Sequence, residues 1–171
     1  MTEPMLKCIL CFEPHTNTWG FGPNMYCEKC FAIRNAAKGV VNHIVGSLYL
    51  ADMEAAKTFD GVRMCVHEDG PKYTGQCHFL PILTKKPIST FDRSGAVASV
   101  NMLNTAADLI DYHVRKGDRL LVHCHGGIER SPLTIAWYLV NKVKECATFQ
   151  DAYVFLKSKR PAVSERLFWL P

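Results

Sequence analysis

No part of this 171-residue chain approaches the run of about 20 apolar residues that a membrane span needs. The first residues, Met1 to Cys8, also lack the basic-then-apolar design of a secretory leader. Membrane association and export are thereby disfavoured, and an intracellular protein of the cytoplasm or nucleus is expected. Nor is there a strong charge of one sign. The formal net charge is +4 with neutral thiols; four zinc-bound thiolates would subtract four and the ion restore two, leaving +2. Such a balance is too weak to argue for a nucleic-acid partner by itself. Internal repeats and low-complexity tracts are absent as well. What remains is an ordinary soluble composition, 48% hydrophobic and 21% charged. The length suits one domain of about 100–150 residues with a small appendage. Without a leader, the eight cysteines point to metal binding and catalysis rather than to a secreted disulfide framework.

Four of those cysteines form two pairs, Cys8-x2-Cys11 and Cys27-x2-Cys30, with fifteen residues between them. Each tight Cys-x2-Cys turn offers two thiolates, and zinc prefers tetrahedral sulfur ligation. The spacing therefore predicts one structural zinc ion held by Cys8, Cys11, Cys27 and Cys30. His15 lies between the pairs, but four cysteines complete the ligand set, so it is read as a surface residue. Pro14, Gly20, Gly22 and Pro23 suit turns, and Trp19, Phe21 and Tyr26 could pack on the metal loops. So small a lobe cannot build a sufficient core alone, and metal would supply its folding energy. Residues 1–35 are assigned to this lobe and 36–171 to a catalytic domain. The lobe is a structural clip on this reading; a docking surface for a protein partner or nucleic acid is the less favoured alternative.

The stretch that carries the chemistry is Arg119 to Leu133. Arg119 to His123 is a short β-type run, and Ser131-Pro132 opens a long apolar-periodic helix, so Cys124 to Arg130 is a strand-to-helix turn. With Gly126 and Gly127 inside it, such a turn aims backbone N–H groups inward while the helix adds its positive end. Those groups hold a phosphate and favour a thiolate, which makes Cys124 a nucleophile. Arg130 closes the turn with a planar fork that grips two phosphoryl oxygens.

His123-Cys124-His125-Gly126-Gly127-Ile128-Glu129-Arg130-Ser131 resembles the Cys-x5-Arg-Ser/Thr signature of the protein tyrosine phosphatase superfamily, and of its dual-specificity branch in particular. Leu48-Tyr49-Leu50-Ala51 resembles that branch's entry stretch, with Ala51 where Gly is usual, and Arg160-Pro161 resembles a stretch before its last short helix. The likeness covers about residues 42–168 and leaves the cysteine lobe outside. It implies an α/β fold with a central, mostly parallel sheet flanked by helices. It also implies hydrolysis of phosphate monoesters through a phosphocysteine intermediate without a catalytic metal. Residues 125–130 would hold the phosphate, Ser131 would hydrogen-bond the Cys124 sulfur, and His123 would fix loop geometry. One of Cys65 and Cys77 could pair with Cys124 on oxidation; read from the residues, both are buried small apolar groups.

The leaving oxygen needs a proton. In the family an Asp on an upstream loop supplies it, and Asp92, thirty-two residues before Cys124 on the loop Lys85 to Ser94, is assigned that role. The assignment assumes an insertion after Pro81-Ile82-Leu83-Thr84. Asp69 is the alternative, an enzyme without a dedicated acid the third, and a helix N-cap the structural reading of Asp92. A helix is expected over Ala96 to Arg115, ended by Lys116-Gly117-Asp118, and another over Phe149 to Lys159. Helical turns are expected at Phe31 to Val41 and at Met53 to Phe59 behind the cap Asp52; strands are expected at Val62 to His67 and Cys77 to Ile82. Trp137 is read as core.

The expected substrate is a phosphorylated protein, with phosphotyrosine first and phosphoserine or phosphothreonine tolerated. The phosphate loop has no Lys, and Glu129 adds negative charge, which disfavours polyphosphorylated ligands. RNA 5′-triphosphate ends or other non-protein phosphomonoesters are the alternative, with a phosphate-recognising adaptor without turnover behind them.

Overall fold

The computed structural model describes residues 6–15, 18–19, 26–89 and 92–171. The turn residues Gly20, Gly22 and Pro23 and the aromatic Phe21 lie outside these, as do the side chains of His15 and Trp19. Two short antiparallel ladders frame the cysteine turns: β1 (Leu6–Lys7) with β2 (Pro14–His15), and β3 (Thr18–Trp19) with β4 (Tyr26–Cys27). The first turn closes by Phe12 N–H donating to Cys8 O at 2.8 Å and Cys8 N–H to Glu13 O at 3.0 Å. Helix α1 (Glu28–Ala37) begins three residues before the expected Phe31. The Cys27 sulfur is itself its cap, accepting the Cys30 N–H at 3.4 Å. The helix also crosses the boundary expected between residues 35 and 36.

The main sheet contains β5 (Asn42–Val45), β6 (Leu48–Ala51), β7 (Val62–Cys65), β8 (His78–Phe79) and β11 (Leu120–His123), in the order β5-β6-β11-β7-β8. Only the β5–β6 pair is antiparallel. Central β11 is buried along its whole length, as a strand covered on both faces must be. Its side chains alternate: Leu120 and Val122 enter the main core, while Leu121 joins Ala51, Ala55 and Ala56 on the other face. There the single turn α2 (Met53–Ala56) packs, capped by Asp52, whose carboxylate accepts Ala55 N–H at 2.9 Å and Gly39 N–H at 2.7 Å.

On the main-core face lie α3 (Val100–Lys116), α4 (Arg130–Trp137), which continues through a wide turn at Tyr138–Lys142, and α5 (Phe149–Lys159). Helix α3 starts later than its apolar period suggests. Val97–Ala98 (β10) is instead drawn into a hairpin with Leu83–Lys85 (β9), and the Ser99 hydroxyl caps the helix by accepting Met102 N–H. It ends as expected at Gly117, whose φ of 81° the chain reversal requires. The run Cys77 to Ile82 yields only the two residues of β8, since Pro81 has no N–H for a ladder. Trp137 packs against the core and donates its indole N–H to Asn104 at 2.9 Å. A 3-10 turn at Leu167–Trp169 closes the chain. No helix among the described residues is long and apolar enough to cross a membrane.

The register pairs His123 with Ala51 on one side and Cys65 on the other. The carboxyl ends of three parallel strands are thus level, and in sheets of this kind ligands sit just beyond that edge.

Candidate active site

Cys124 follows β11 directly and is 2% exposed. In the turn from Cys124 to α4, four consecutive carbonyls are taken by groups outside the loop. His125 O accepts Met53 N–H at 3.0 Å, Gly126 O and Gly127 O accept Arg160 Nη2 and Nε at 3.2 and 3.0 Å, and Ile128 O accepts Ser164 N–H at 2.8 Å. In a trans peptide the N–H points opposite to the C=O, so the amides of residues 126–129 face inward around the sulfur. Gly127 is required in this arrangement: its φ is +62°, and a Cβ would stand 2.4 Å from Ala51 O. The Ser131 hydroxyl donates to the Cys124 sulfur at 3.2 Å.

Arg130 opens α4 and is 9% exposed. Its Nε donates to Glu68 Oε1 at 2.8 Å, which fixes the plane of the guanidinium. Burial works against its charge, but the Glu68 bond and the negative charge of Cys124, Glu68 and Glu129 outweigh this and raise its pKa. His123 is fully buried, its Nε2 2.7 Å from the Tyr73 hydroxyl and its Nδ1 3.2 Å from Cys124 O. Burial draws its pKa down to about 4; a neutral ring holds the loop rather than carrying charge. Cys65 is buried and its thiol is pushed up to about 12 by desolvation, so it is unreactive as placed. Cys77 is half-buried and receives the Tyr73 hydroxyl at 3.1 Å.

The cavity over Cys124 has a volume of about 270 Å³. Cys124, His125, Gly126, Ile128, Glu129 and Arg130 line it, Gly127 of the expected loop does not, and His67, Arg93 and Arg166 are added. Asp92 is not among the lining residues. Its carboxylate instead accepts Ser94 N–H at 2.9 Å, and hydrogen bonds from the Ser94 hydroxyl and then from this N–H hold its pKa below the usual carboxylate range. An ionised group turned into its own loop is poorly placed to donate a proton. The helix-cap reading of Asp92 also fails, because Ser99 caps α3. Asp69 lies outside the lining too, exposed and paired with Lys86 at 2.9 Å. Among the described residues, the one carboxylate lining the cavity is that of Glu129, and its charge is answered. Arg93 forms a two-pronged ion pair with it, and Arg166 Nε donates to it at 2.8 Å. The loop therefore lacks the negative character that its sequence suggests.

Arg166 also ties the cysteine lobe to this site. Its Nη2 donates to Ile9 O at 3.2 Å and its Nη1 to the Ser164 hydroxyl at 2.7 Å, while that hydroxyl donates to Leu10 O at 3.5 Å. Ile9, Leu10, Tyr26 and Arg34 of the lobe consequently form part of the cavity wall. Glu68, Arg93 and Arg166 carry no local sequence signal for these roles. Arg160 stood in a recognised stretch, with nothing there to tell that it grips the loop.

In the lobe, the sulfurs of Cys8, Cys11, Cys27 and Cys30 lie within 4.8 Å of one another, and none is in a disulfide. A metal–sulfur bond of about 2.3 Å in a tetrahedron separates sulfurs by about 3.8 Å, so small inward shifts would seat one ion. Burial raises the Cys8 pKa, but amides at Cys11, Cys27 and Leu10 outweigh it and bring the thiol to about 7. Burial raises the Cys11 and Cys30 thiols, so it is the convergence of four sulfurs that suits the group to a metal ion.

A cysteine at the carboxyl edge of a parallel sheet, inside a loop of inward amides closed by an arginine, is an arrangement that can hold an anion beside a thiol. The profile of the family described as dual specificity phosphatase, catalytic domain, matches residues 72–170, and the chain belongs to that family. The 123R protein of Invertebrate iridescent virus 6, named as a tyrosine phosphatase, is 33% identical over 61 residues, 36% of this chain and 42% of that relative's length. Among solved structures, the human tyrosine phosphatase-like serine/threonine/tyrosine-interacting protein superposes with a TM-score of 0.59 at 15% identity, over 75% of this chain and 89% of that one. Human DUSP28 gives 0.56 at 19% identity, over 75% and 86%. At these identities the shared property is the fold.

Proposed function

We propose that this chain hydrolyses phosphotyrosine in phosphorylated proteins through a phosphocysteine intermediate. The observation that carries the reading is the setting of Cys124, with its sulfur under inward amides, beside Arg130 and 3.2 Å from the Ser131 hydroxyl. The Cys124 thiolate attacks phosphorus and the bond to the leaving oxygen breaks, while Arg130 and the amides hold the three remaining oxygens. Water then attacks phosphorus and the sulfur–phosphorus bond breaks. Ser131 eases the departure of the thiolate by hydrogen-bonding it.

The absence of a free carboxyl group among the described cavity residues bears on the substrate. A tyrosyl oxygen, with a pKa near 10, leaves far more readily unprotonated than a seryl or threonyl oxygen, whose alcohol resembles water at about 15.7. Phosphotyrosine is therefore preferred, and phosphoserine and phosphothreonine are slower substrates. Residues 1–35 form a lobe clipped by one structural zinc ion at Cys8, Cys11, Cys27 and Cys30, and residues 36–171 form the catalytic domain. Zinc takes no part in the reaction.

Matched phosphotyrosine and phosphothreonine peptides and triphosphate-ended RNA test this reading. It expects fastest release of phosphate from phosphotyrosine, none by Cys124→Ser, and a phosphoryl adduct on Cys124 after acid quenching. Turnover of RNA alone would move the substrate class. Binding without turnover of any of them would make the chain an adaptor.

A further inference from the structure

One wall of the cavity comes from outside the phosphatase fold. Arg34, in the last turn of α1, lines it alongside Arg130. Its guanidinium carbon lies 4.8 Å from the centre of the Tyr26 ring, which braces it without neutralising it. The other arginines of the cavity have carboxylate partners: Arg130 with Glu68, Arg93 and Arg166 with Glu129. Arg34 has none among the described residues. Among the described residues that line the cavity, Arg34 is thus the arginine whose charge no carboxylate answers. A planar guanidinium on an aromatic face, partly shielded from water and lacking a counter-ion, is a ready binder of carboxylate or phosphate.

We infer that Arg34, carried on the four-cysteine lobe, forms a second anion subsite, which reads a carboxylate or phosphate next to the scissile phosphoryl group of a peptide. The inference rests on the phosphatase reading above and adds the lobe to it as the specificity element. A peptide fits better than a nucleic acid. Ile9, Leu10 and Ile128 give the cavity apolar walls, and Tyr26 is buried and covered by the guanidinium, so it offers no open face for base stacking. The substrate reaches from the phosphate loop of one unit to the helix of the other.

Binding to the metal-loaded Cys124→Ser protein tests this with four probes. These are a phosphotyrosine peptide with neutral flanks, the same peptide with flanking Asp and Glu, the same with a neighbouring phosphothreonine, and triphosphate-ended RNA. Wild-type turnover of the same set runs alongside. An acidic or doubly phosphorylated peptide should bind about tenfold more tightly than the neutral one. Adding Arg34→Ala should erase that ratio, and Arg34→Lys should keep part of it; in turnover the change falls on KM. The Asp/Glu and phosphothreonine arms tell which anion is read. A loss shared equally by all probes would mean a structural role, and equal binding of neutral and acidic peptides would mean no subsite; either overturns the inference. Preference for RNA overturns the peptide occupant. If wild type turns over nothing while the Arg34-dependent ratio persists, the hydrolytic reading fails and the subsite stands.

Discussion

Around β11 the chain buries Leu48, Leu50, Met64, Leu103, Ile110, Leu133 and Leu156, all at 0% exposure, whereas around Cys8 the buried residues among those described are three cysteines and Tyr26. Each large apolar side chain of the first set contributes roughly 1.5–3 kcal/mol. The second set cannot offset the ordering of its chain at roughly 1–2 kcal/mol per residue. One region is therefore held by packing and the other by its sulfur chemistry and by Arg166, yet both supply walls to one cavity. The rigid sheet edge places Cys124, the proposed nucleophile, where small displacements would be costly to reactivity. The lobe, stapled at few points, is free to present recognition groups such as Arg34 without disturbing that edge.

Changes confined to one region should separate the two roles. The largest effect is expected from Cys124→Ser, which should lower turnover by at least about 10⁴-fold while leaving melting temperature and metal content unchanged. Next is Arg166→Met. A buried cation that bonds Glu129, Ser164 and Ile9 joins the regions, and breaking such a pair by removing one partner costs about 3–5 kcal/mol. Urea unfolding should show this loss; a variant as stable as wild type would mean that the link is idle.

Within the sheet, His123 should give a pH effect of its own. Because burial depresses the His123 pKa from 6.5 to about 4, the unfolded chain takes up the proton first as pH falls. Its contribution is complete above pH 6.5 and is lost as pH drops toward 4, by about 3 kcal/mol. His123→Asn should flatten that part of the stability profile, and an unchanged slope would remove His123 as its source. Stripping the metal should lower kcat/KM about tenfold through loss of the lobe's wall groups while the sheet's circular dichroism persists. Smallest of all, Asp92→Asn should alter turnover by about twofold or less, since its carboxylate caps its own turn. A large loss confined to phosphoserine and phosphothreonine substrates would restore it as the acid.

The contrast between the regions also explains what could be read in advance. Cys124, Arg130 and Ser131 lie within eight consecutive residues, and a strand-to-helix turn brings such neighbours together by itself. The two Cys-x2-Cys turns are likewise local. The assignment of Asp92 rests on the family resemblance and on chain distance to Cys124, and the β9–β10 hairpin between Leu83 and Ala98 redirects that path. Arg166 is 37 residues from Glu129 and 157 from Ile9, so no window of sequence holds both ends of the contacts it makes.

By itself the sequence determined the strand-to-helix turn from Cys124 to Arg130, the four-cysteine set, the α/β alternation and the cap at Gly117, because each depends on residues within a few positions of one another. Only the tertiary structure decided that Glu68 and Arg160 position the loop, that Glu129 is neutralised, that Asp92 faces its own turn, and that the cysteine lobe overhangs the nucleophile. Those outcomes depend on which distant groups share a small buried volume, where an unpaired charge or carbonyl is costly and must find a partner wherever the fold supplies one.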